Sequence, residues 1–130
     1  MRVPKPERLS DHLEVMARAA ENVAGFVRDM TREQFDADPR TQQAVTFNIL
    51  VLGEAAAFVS AKFDAFVAKH PEVDWKGMKE SRHGLAHGYF QIDYDAIWTS
   101  ATTQLPDLLK RMPDIQRDAI ALQRGSGPGL

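Results

Sequence analysis

Apolar residues recur every three or four positions in the first part of the chain. They are Leu9, Leu13, Met16, Ala20, Val23, Val27 and Met30. This spacing places them on one side of an α-helix and predicts an amphipathic helix from about Arg8 to Met30. Ser10 or Asp11 is expected to cap its start, because short polar side chains satisfy the free backbone N–H groups there.

A long second helix is predicted over about 40–69. It is expected to end there because the next residue precedes Pro71, and a residue before proline is pushed out of the helical region. Its middle, from Ile49 to Ala57, is apolar on nearly every side except at Glu54. A helix that is apolar all round is normally covered on more than one face. The sequence therefore predicts that this helix lies at the centre of the fold.

Two or three further helices follow. A third is predicted over about 74–87, with Gly88 where a left-handed C-cap belongs. Asp93 is then expected to cap a fourth helix. Pro106 either kinks that helix or opens a fifth within its first turn.

No strand pattern and no repeat of fixed period is present in the sequence. The chain is therefore predicted to be all-α, an up-and-down bundle of four to five helices. Residues 1–123 are expected to form one helical domain, and residues 124–130 a flexible, glycine-rich tail. The two-sided burial of the second helix suits a homodimer, although a well-covered monomer core would give the same pattern.

Composition limits the classes of protein that remain. A chain of 130 residues with 44% apolar content suits one globular domain. The absence of cysteine excludes disulfides, thiolate zinc sites and thiol catalysis, and favours a reducing, cytoplasmic location. We expect no membrane association, because no signal peptide or uninterrupted apolar run of about 18 residues is found. The net charge of -2 means that any nucleic-acid chemistry would be local.

The residue types that can do such chemistry cluster between Arg82 and Tyr89. Arginine stays charged and can hold two phosphate oxygens, whereas histidine can take or give a proton near neutrality. On a regular helix Arg82 and His87 would be about 140° apart around the axis and about 7.5 Å apart along it. The two side chains would therefore converge on one anion only if the helix unwinds. An exposed arginine with a helix-capping histidine would give the same spacing.

Glu54 is the charged residue within the apolar middle of the second helix. A buried carboxylate is costly unless it is paired, so Glu54 is expected to have a partner. It could orient Arg82 or His87 across the bundle. It could equally make a cap or dimer contact that has no chemical role.

A metal site shares some of these residues as an alternative. Glu80, His83 and His87 would project from one helical face, and di-metal helical bundles use a Glu-x-x-His unit of this kind. Such a site needs a second Glu-x-x-His unit, which the chain lacks. No metal and no other cofactor is therefore expected.

The chain resembles the HepT-like branch of the HEPN superfamily. The motif of that family is Arg, a polar residue that is usually Asn, three variable residues, His, one variable residue and Tyr. Arg82, His83, His87 and Tyr89 occupy these positions here. The similarity covers nearly the whole chain and includes Arg8-Leu9, Ala44-Val45, Gly53-Glu54-Ala55, Asp74-Trp75, Gly77-Met78, Leu85-Ala86-His87-Gly88-Tyr89-Phe90 and Ile92-Asp93-Tyr94.

This resemblance implies a homodimer that cleaves RNA without metal, as the toxin of a two-gene module with a minimal nucleotidyltransferase antitoxin. It implies that Arg82 and His87 are catalytic, that His83 assists by a hydrogen bond, and that Tyr89 accepts AMP from the antitoxin. Arg82 would stabilise the charge that develops on phosphorus while His87 exchanges a proton with a ribose oxygen. The alternative function is a non-catalytic partner or substrate-binding subunit of a nucleotidyltransferase.

The chain departs from the family pattern in two places. His83 stands where the family usually has Asn, and Lys79-Glu80-Ser81 separates Gly77-Met78 from Arg82, where the usual pattern runs almost directly into Arg. Three extra residues turn a helix by about 300°. They would re-aim Arg82 unless a bulge or a later helix start absorbs them.

Overall fold

The computed structural model describes residues 8–87 and 91–125, and helices make up nearly all of this part of the chain. No strand occurs within these ranges, so the predicted all-α class is confirmed. The helices are α1 (Leu9–Phe26), α2 (Arg32–Asp36), α3 (Pro39–Lys62), α4 (Asp64–Lys69), α5 (Trp75–His87), α6 (Tyr94–Thr99) and α7 (Leu105–Gly125). A π-helical segment, Ser100–Gln104, joins α6 to α7.

The long helix α3 occupies the middle of the bundle. It packs against α1 and α5, and α1 also packs against α7. The largest side chains that are almost fully buried come from α1, α2, α3 and α7: Phe35, Leu9, Leu13, Met16, Met112, Ile115, Val23, Val45 and Val59. The central place predicted for the second helix is thus observed.

The start and end of α1 differ from the prediction. Arg8 is the N-cap residue and makes no side-chain cap, and Asp11 is buried within the first turn. The cap comes instead from another helix, because the backbone N–H of Ser10 donates to Gln123 Oε1 of α7 at 2.8 Å. The helix ends before Asp29, whose φ of 57° is left-handed. A local sequence pattern could not show a cap supplied from the other end of the chain.

The predicted second helix is divided in two. Asp38 caps α3 by accepting from the backbone N–H of Thr41, and Phe63 then leaves the helical region with φ −132° and ψ 50°. The chain resumes as α4 up to Lys69. By length and composition alone α3 could also cross a bilayer, a test that the core helices of soluble proteins pass as well.

The chain from α6 to the end of α7 is continuous, and Asp93 caps α6 as predicted. Pro106 lies in the first turn of α7, directly after the π-helical segment. Proline lacks an N–H donor and its ring collides with the carbonyl four residues earlier, so the wider π turn accommodates it. Pro113 lies inside α7, which continues to Gly125, two residues past the predicted domain end. Residues 126–130 of the predicted tail lie outside the described residues.

Candidate active site

The beginning of α5 is fixed to the rest of the bundle by two contacts. Asp74 Oδ1 accepts from the backbone N–H of Gly77 at 3.0 Å and so caps the helix. The buried indole of Trp75 donates from Nε1 to the carbonyl oxygen of His70 at 3.0 Å. The predicted start of this helix is therefore correct, and the orientation of α5 is set from its first turn.

His70 follows the last residue of α4, so the predicted helix end is correct, and its side chain is also buried and joins separate segments. Its Nδ1 lies 2.8 Å from Glu72 Oε2 and its Nε2 lies 3.1 Å from Asp118 Oδ2 of α7. The hydrogen bond to His70 lowers the pKa of the Glu72 carboxyl from its usual value. This contact links the loop before α5 to α7 and supports the anchoring of Trp75.

The backbones of α3 and α5 approach each other closely at Gly53. A Cβ atom at this position would lie 2.5 Å from Arg82 Cβ and 2.7 Å from the carbonyl oxygen of Met78. Both distances are shorter than real Cβ contacts, so only glycine fits without a shift of one helix. The absence of a side chain at Gly53 therefore places Arg82 directly against α3.

Glu54, the next residue of α3, is the partner of Arg82. Arg82 NH1 donates to Glu54 Oε1 at 3.0 Å. The Arg82 side chain is 33% exposed and the Glu54 side chain is 62% exposed. The Nε of Arg82 is buried and has no hydrogen-bond partner among the described residues. The guanidinium is thus anchored on one side and still partly open to solvent on the other. Glu54 itself is exposed, so the expected deep burial of this carboxylate is wrong.

The open face of α5, defined here as the side that carries Lys76, Lys79, Glu80, His83 and His87, points away from α3. The rings of His83 and His87 pack together with centroids 4.5 Å apart and planes inclined by 50°. Both histidines are exposed. Lys76 Nζ lies 3.8 Å from Glu80 Oε1, a separation at the limit of an ion pair. The face therefore presents imidazoles and cations with one carboxylate among them.

The three residues 79–81 cause no bulge, because α5 is an uninterrupted α-helix from Trp75 to His87. On such a helix Arg82 and His87 point about 140° apart, so a single protomer does not bring them face to face. Arg82 instead lies where α5 meets α3, and His87 lies on the open face. The predicted C-cap residue Gly88 and the motif residue Tyr89 lie outside the described residues.

The alternative metal site does not form as a three-ligand cluster. Within residues 8–87 and 91–125, no three His, Asp or Glu side chains are placed to hold one metal ion. Glu80 lies nearest to Lys76 instead, and His83 contacts His87 through its ring.

A cavity of about 250 Å³ lies on the other flank of α5, towards the π-helical segment. Its floor is apolar, with Ile49, Leu52 and Leu105, and Ser81 contributes from α5. Arg82, His83 and His87 do not line it. The candidate active site is therefore an exposed surface of α5 and not an enclosed pocket.

Two features of this site were missed in the sequence. Gly53 was noted only as part of the family resemblance, although a glycine in the middle of an otherwise strong helix signals a close approach of another backbone. Phe47 of α3, which is 62% exposed, was not singled out in the sequence. The apolar pattern all round α3 concealed which of its sides is left uncovered.

Comparison with known proteins places the chain among related sequences. A model of the family described as ribonuclease HepT-like matches residues 16–115. A candidate RNase of Methanocaldococcus jannaschii is 36% identical over 97 residues, which are 75% of this chain and 78% of that protein. The probable ribonuclease HepT of Thermococcus cleftensis is 31% identical over 107 residues, 82% of this chain and 94% of the relative. No solved structure matches.

Proposed function

Because the chain belongs to the ribonuclease HepT-like family, we propose that it is a metal-independent endoribonuclease whose site is the C-terminal half of α5. The observation that carries the proposal is the arginine that Glu54 anchors, next to two exposed imidazoles on the same helix. A fixed guanidinium neutralises the charge that develops on the phosphate oxygens, and an imidazole exchanges protons near neutral pH. Together they supply what ribose-assisted cleavage of RNA requires.

The roles follow from the chemistry of each group. Arg82 binds a non-bridging oxygen of the phosphodiester, for which its NH2 group and partial exposure leave room. His87 either takes the proton of a ribose 2′-OH or gives one to the departing 5′-oxygen. Glu54 is a positioning residue, since it holds the guanidinium at the boundary between α3 and α5.

The experiment that tests this proposal is incubation of the purified protein with a single-stranded RNA of mixed sequence in excess EDTA. We expect fragments that carry a 2′,3′-cyclic phosphate or its hydrolysis product at one end and a 5′-hydroxyl at the other. A DNA of the same sequence should stay intact, because it lacks the attacking 2′-OH. RNA that stays intact while the protein still binds a nucleotidyltransferase would instead favour a non-catalytic partner subunit.

The family resemblance supports a regulatory role within the same proposal. The protein would act as the toxin of a toxin-antitoxin module, and a minimal nucleotidyltransferase would be its antitoxin. Transfer of AMP to Tyr89, two residues after His87 in the sequence, would add a bulky anion next to the site. Such a group would repel the RNA backbone and occupy its space.

A homodimer is supported by the uncovered side of α3, defined here as the α3 face, which carries Phe47, Leu50, Val51 and Glu54. Phe47 is 62% exposed, and Leu50 and Val51 are only partly buried. A large apolar side chain on an otherwise apolar, uncovered helix face is typical of an interface. The face also includes Glu54 and so adjoins Arg82. A second copy seated there would bring two arginines into one cleft.

The variant Phe47→Glu tests this interface. A charge at the centre of an apolar contact is desolvated without a partner, so we expect the dimer to dissociate at micromolar concentration. Sedimentation velocity measures the change. The matched control is Phe26→Glu, since Phe26 is also exposed, at 42%, but belongs to α1. A wild-type monomer, or a Phe47→Glu variant that stays dimeric, would contradict the proposed interface.

A further inference from the structure

One protomer carries two imidazoles in contact on the open face of α5. The ring centroids of His83 and His87 are 4.5 Å apart, and the residues are one helical turn apart in a helix that is regular through His87. The side chain at position 83 is the one that departs from the usual family pattern. Asparagine there could donate a hydrogen bond, but it cannot exchange a proton near neutral pH.

The position of His83 around the helix relates it to both other groups. Successive residues of an α-helix are about 100° apart, so His83 lies about 100° from Arg82 and about 40° from His87. Around the helix the order is therefore guanidinium, first imidazole, second imidazole. A phosphodiester bound by Arg82 is therefore closer, around the helix, to His83 than to His87.

The charged groups nearby leave these two rings open to a substrate. On α5 they are Lys79, Glu80 and Arg82, and on α3, the helix packed against α5, the facing carboxylate is Glu54. Glu54 is held by Arg82, and Glu80 lies 3.8 Å from the amine of Lys76. Glu54 is thus paired with a cation, and Glu80 lies at the limit of an ion pair with Lys76.

We propose that His83 and His87 of a single protomer share the two proton transfers of RNA cleavage, an inference that rests on the proposed function. The ribose 2′-oxygen forms a bond to phosphorus as its proton passes to one imidazole. The bond from phosphorus to the 5′-oxygen breaks as the other imidazolium gives that oxygen a proton. The products are a 2′,3′-cyclic phosphate and a 5′-hydroxyl, and the two rings end with their protonation states exchanged.

This arrangement has a consequence for the dimer. Where each protomer has one histidine at its site, the second proton transfer needs the histidine of the other copy. With His83 in place, both transfers are available on one helix. A second copy then contributes to RNA binding and to the position of Arg82, and it is not required to supply the acid or the base.

The test compares His83→Asn, His87→Asn and the control Glu14→Gln, which changes an exposed group on α1, away from the site. Rates are measured against pH on RNA with a normal 5′-oxygen at the cut site, and on RNA with a bridging 5′-sulfur there. We expect a bell-shaped profile for the wild type and for Glu14→Gln. We expect His83→Asn to lose one limb of the bell and about 10²–10⁴-fold in rate.

The sulfur-containing RNA shows which histidine is the acid, because a thiolate leaves without a proton. We expect it to restore cleavage to one of the two histidine variants and not to the other. Restoration of both or of neither would contradict a division of the two transfers. If the wild type is active and His83→Asn has the same rate and both limbs of the same pH profile, this inference would be overturned and the proposed function would stand. A wild type that cleaves neither RNA would overturn the proposed function and this inference with it.

Discussion

Replacing His87 by alanine is expected to lower the rate of RNA cleavage by about 10²–10⁴-fold, the usual contribution of a positioned acid or base. The imidazole of His87 is exposed and contacts His83, so its removal leaves the core intact. The free energy of unfolding should therefore change by no more than about 0.5 kcal/mol, the usual range for surface substitutions. The expected loss of cleavage rate therefore arises from the missing acid or base and not from unfolding. It is measured as the initial rate on a fluorescently labelled RNA, with thermal unfolding recorded on the same samples.

Two further variants strengthen this experiment. Arg82→Lys keeps the charge but loses the planar guanidinium, so we expect it to cleave more slowly than the wild type and to lose the contact to Glu54. Lys76→Ala removes an exposed cation two turns before His83 and should leave the rate per bound RNA unchanged. If the His87→Ala protein cleaved as fast as the wild type, the assignment of the site to α5 would be wrong.

The second large effect is expected from Gly53→Ala. The added Cβ would lie 2.5 Å from Arg82 Cβ and 2.7 Å from the Met78 carbonyl oxygen, so α5 must move away from α3. Overpacking of this kind costs about 1–3 kcal/mol in the free energy of unfolding. The shift also moves Arg82 relative to Glu54, and we expect the cleavage rate to fall about tenfold or more, because small displacements of catalytic groups are costly. Urea unfolding and the RNA assay measure the two effects.

Gly84 supplies the matched control on α5 itself. A Cβ atom at Gly84 would have no atom within 4 Å. Because alanine is favoured over glycine inside a helix by about 1 kcal/mol, Gly84→Ala should be slightly more stable than the wild type. Equal stability and equal activity of the Gly53 and Gly84 variants would show that the close approach of α3 and α5 does not position the site.

The sequence pattern was sufficient to predict the all-α class and the helix that carries the site. The apolar pattern located α1 and α3, and a short polar residue, Asp93, marked the start of α6 correctly. Those signals are local, since a cap or an amphipathic stripe is decided within a few residues. Contacts from distant parts of the chain override them, as Gln123 does at the start of α1.

The site itself was only partly visible in the sequence. The apolar surroundings of Glu54 indicated that it needs a partner, and the structure identifies that partner as Arg82. The contact between His83 and His87 follows from their spacing on a regular helix, yet no rule from sequence shows how the rings pack. The role of Gly53 depends on the distance between two helices, a quantity that arises only from packing.

The central claim is that RNA binds along the C-terminal half of α5, across Arg82, His83 and His87, and the imidazole signals of the wild-type protein test it most directly. The chain has four histidines, of which His83 and His87 lie on this face, whereas His12 packs on Phe58 and His70 is buried against Glu72. The measurement is a titration of ¹⁵N-labelled protein with a 2′-O-methyl RNA, which binds but cannot be cleaved. The account predicts large shifts for His83 and His87 and small ones for His12 and His70. Shifts confined to His12 or His70, or no shift at any histidine while the RNA binds, would contradict it.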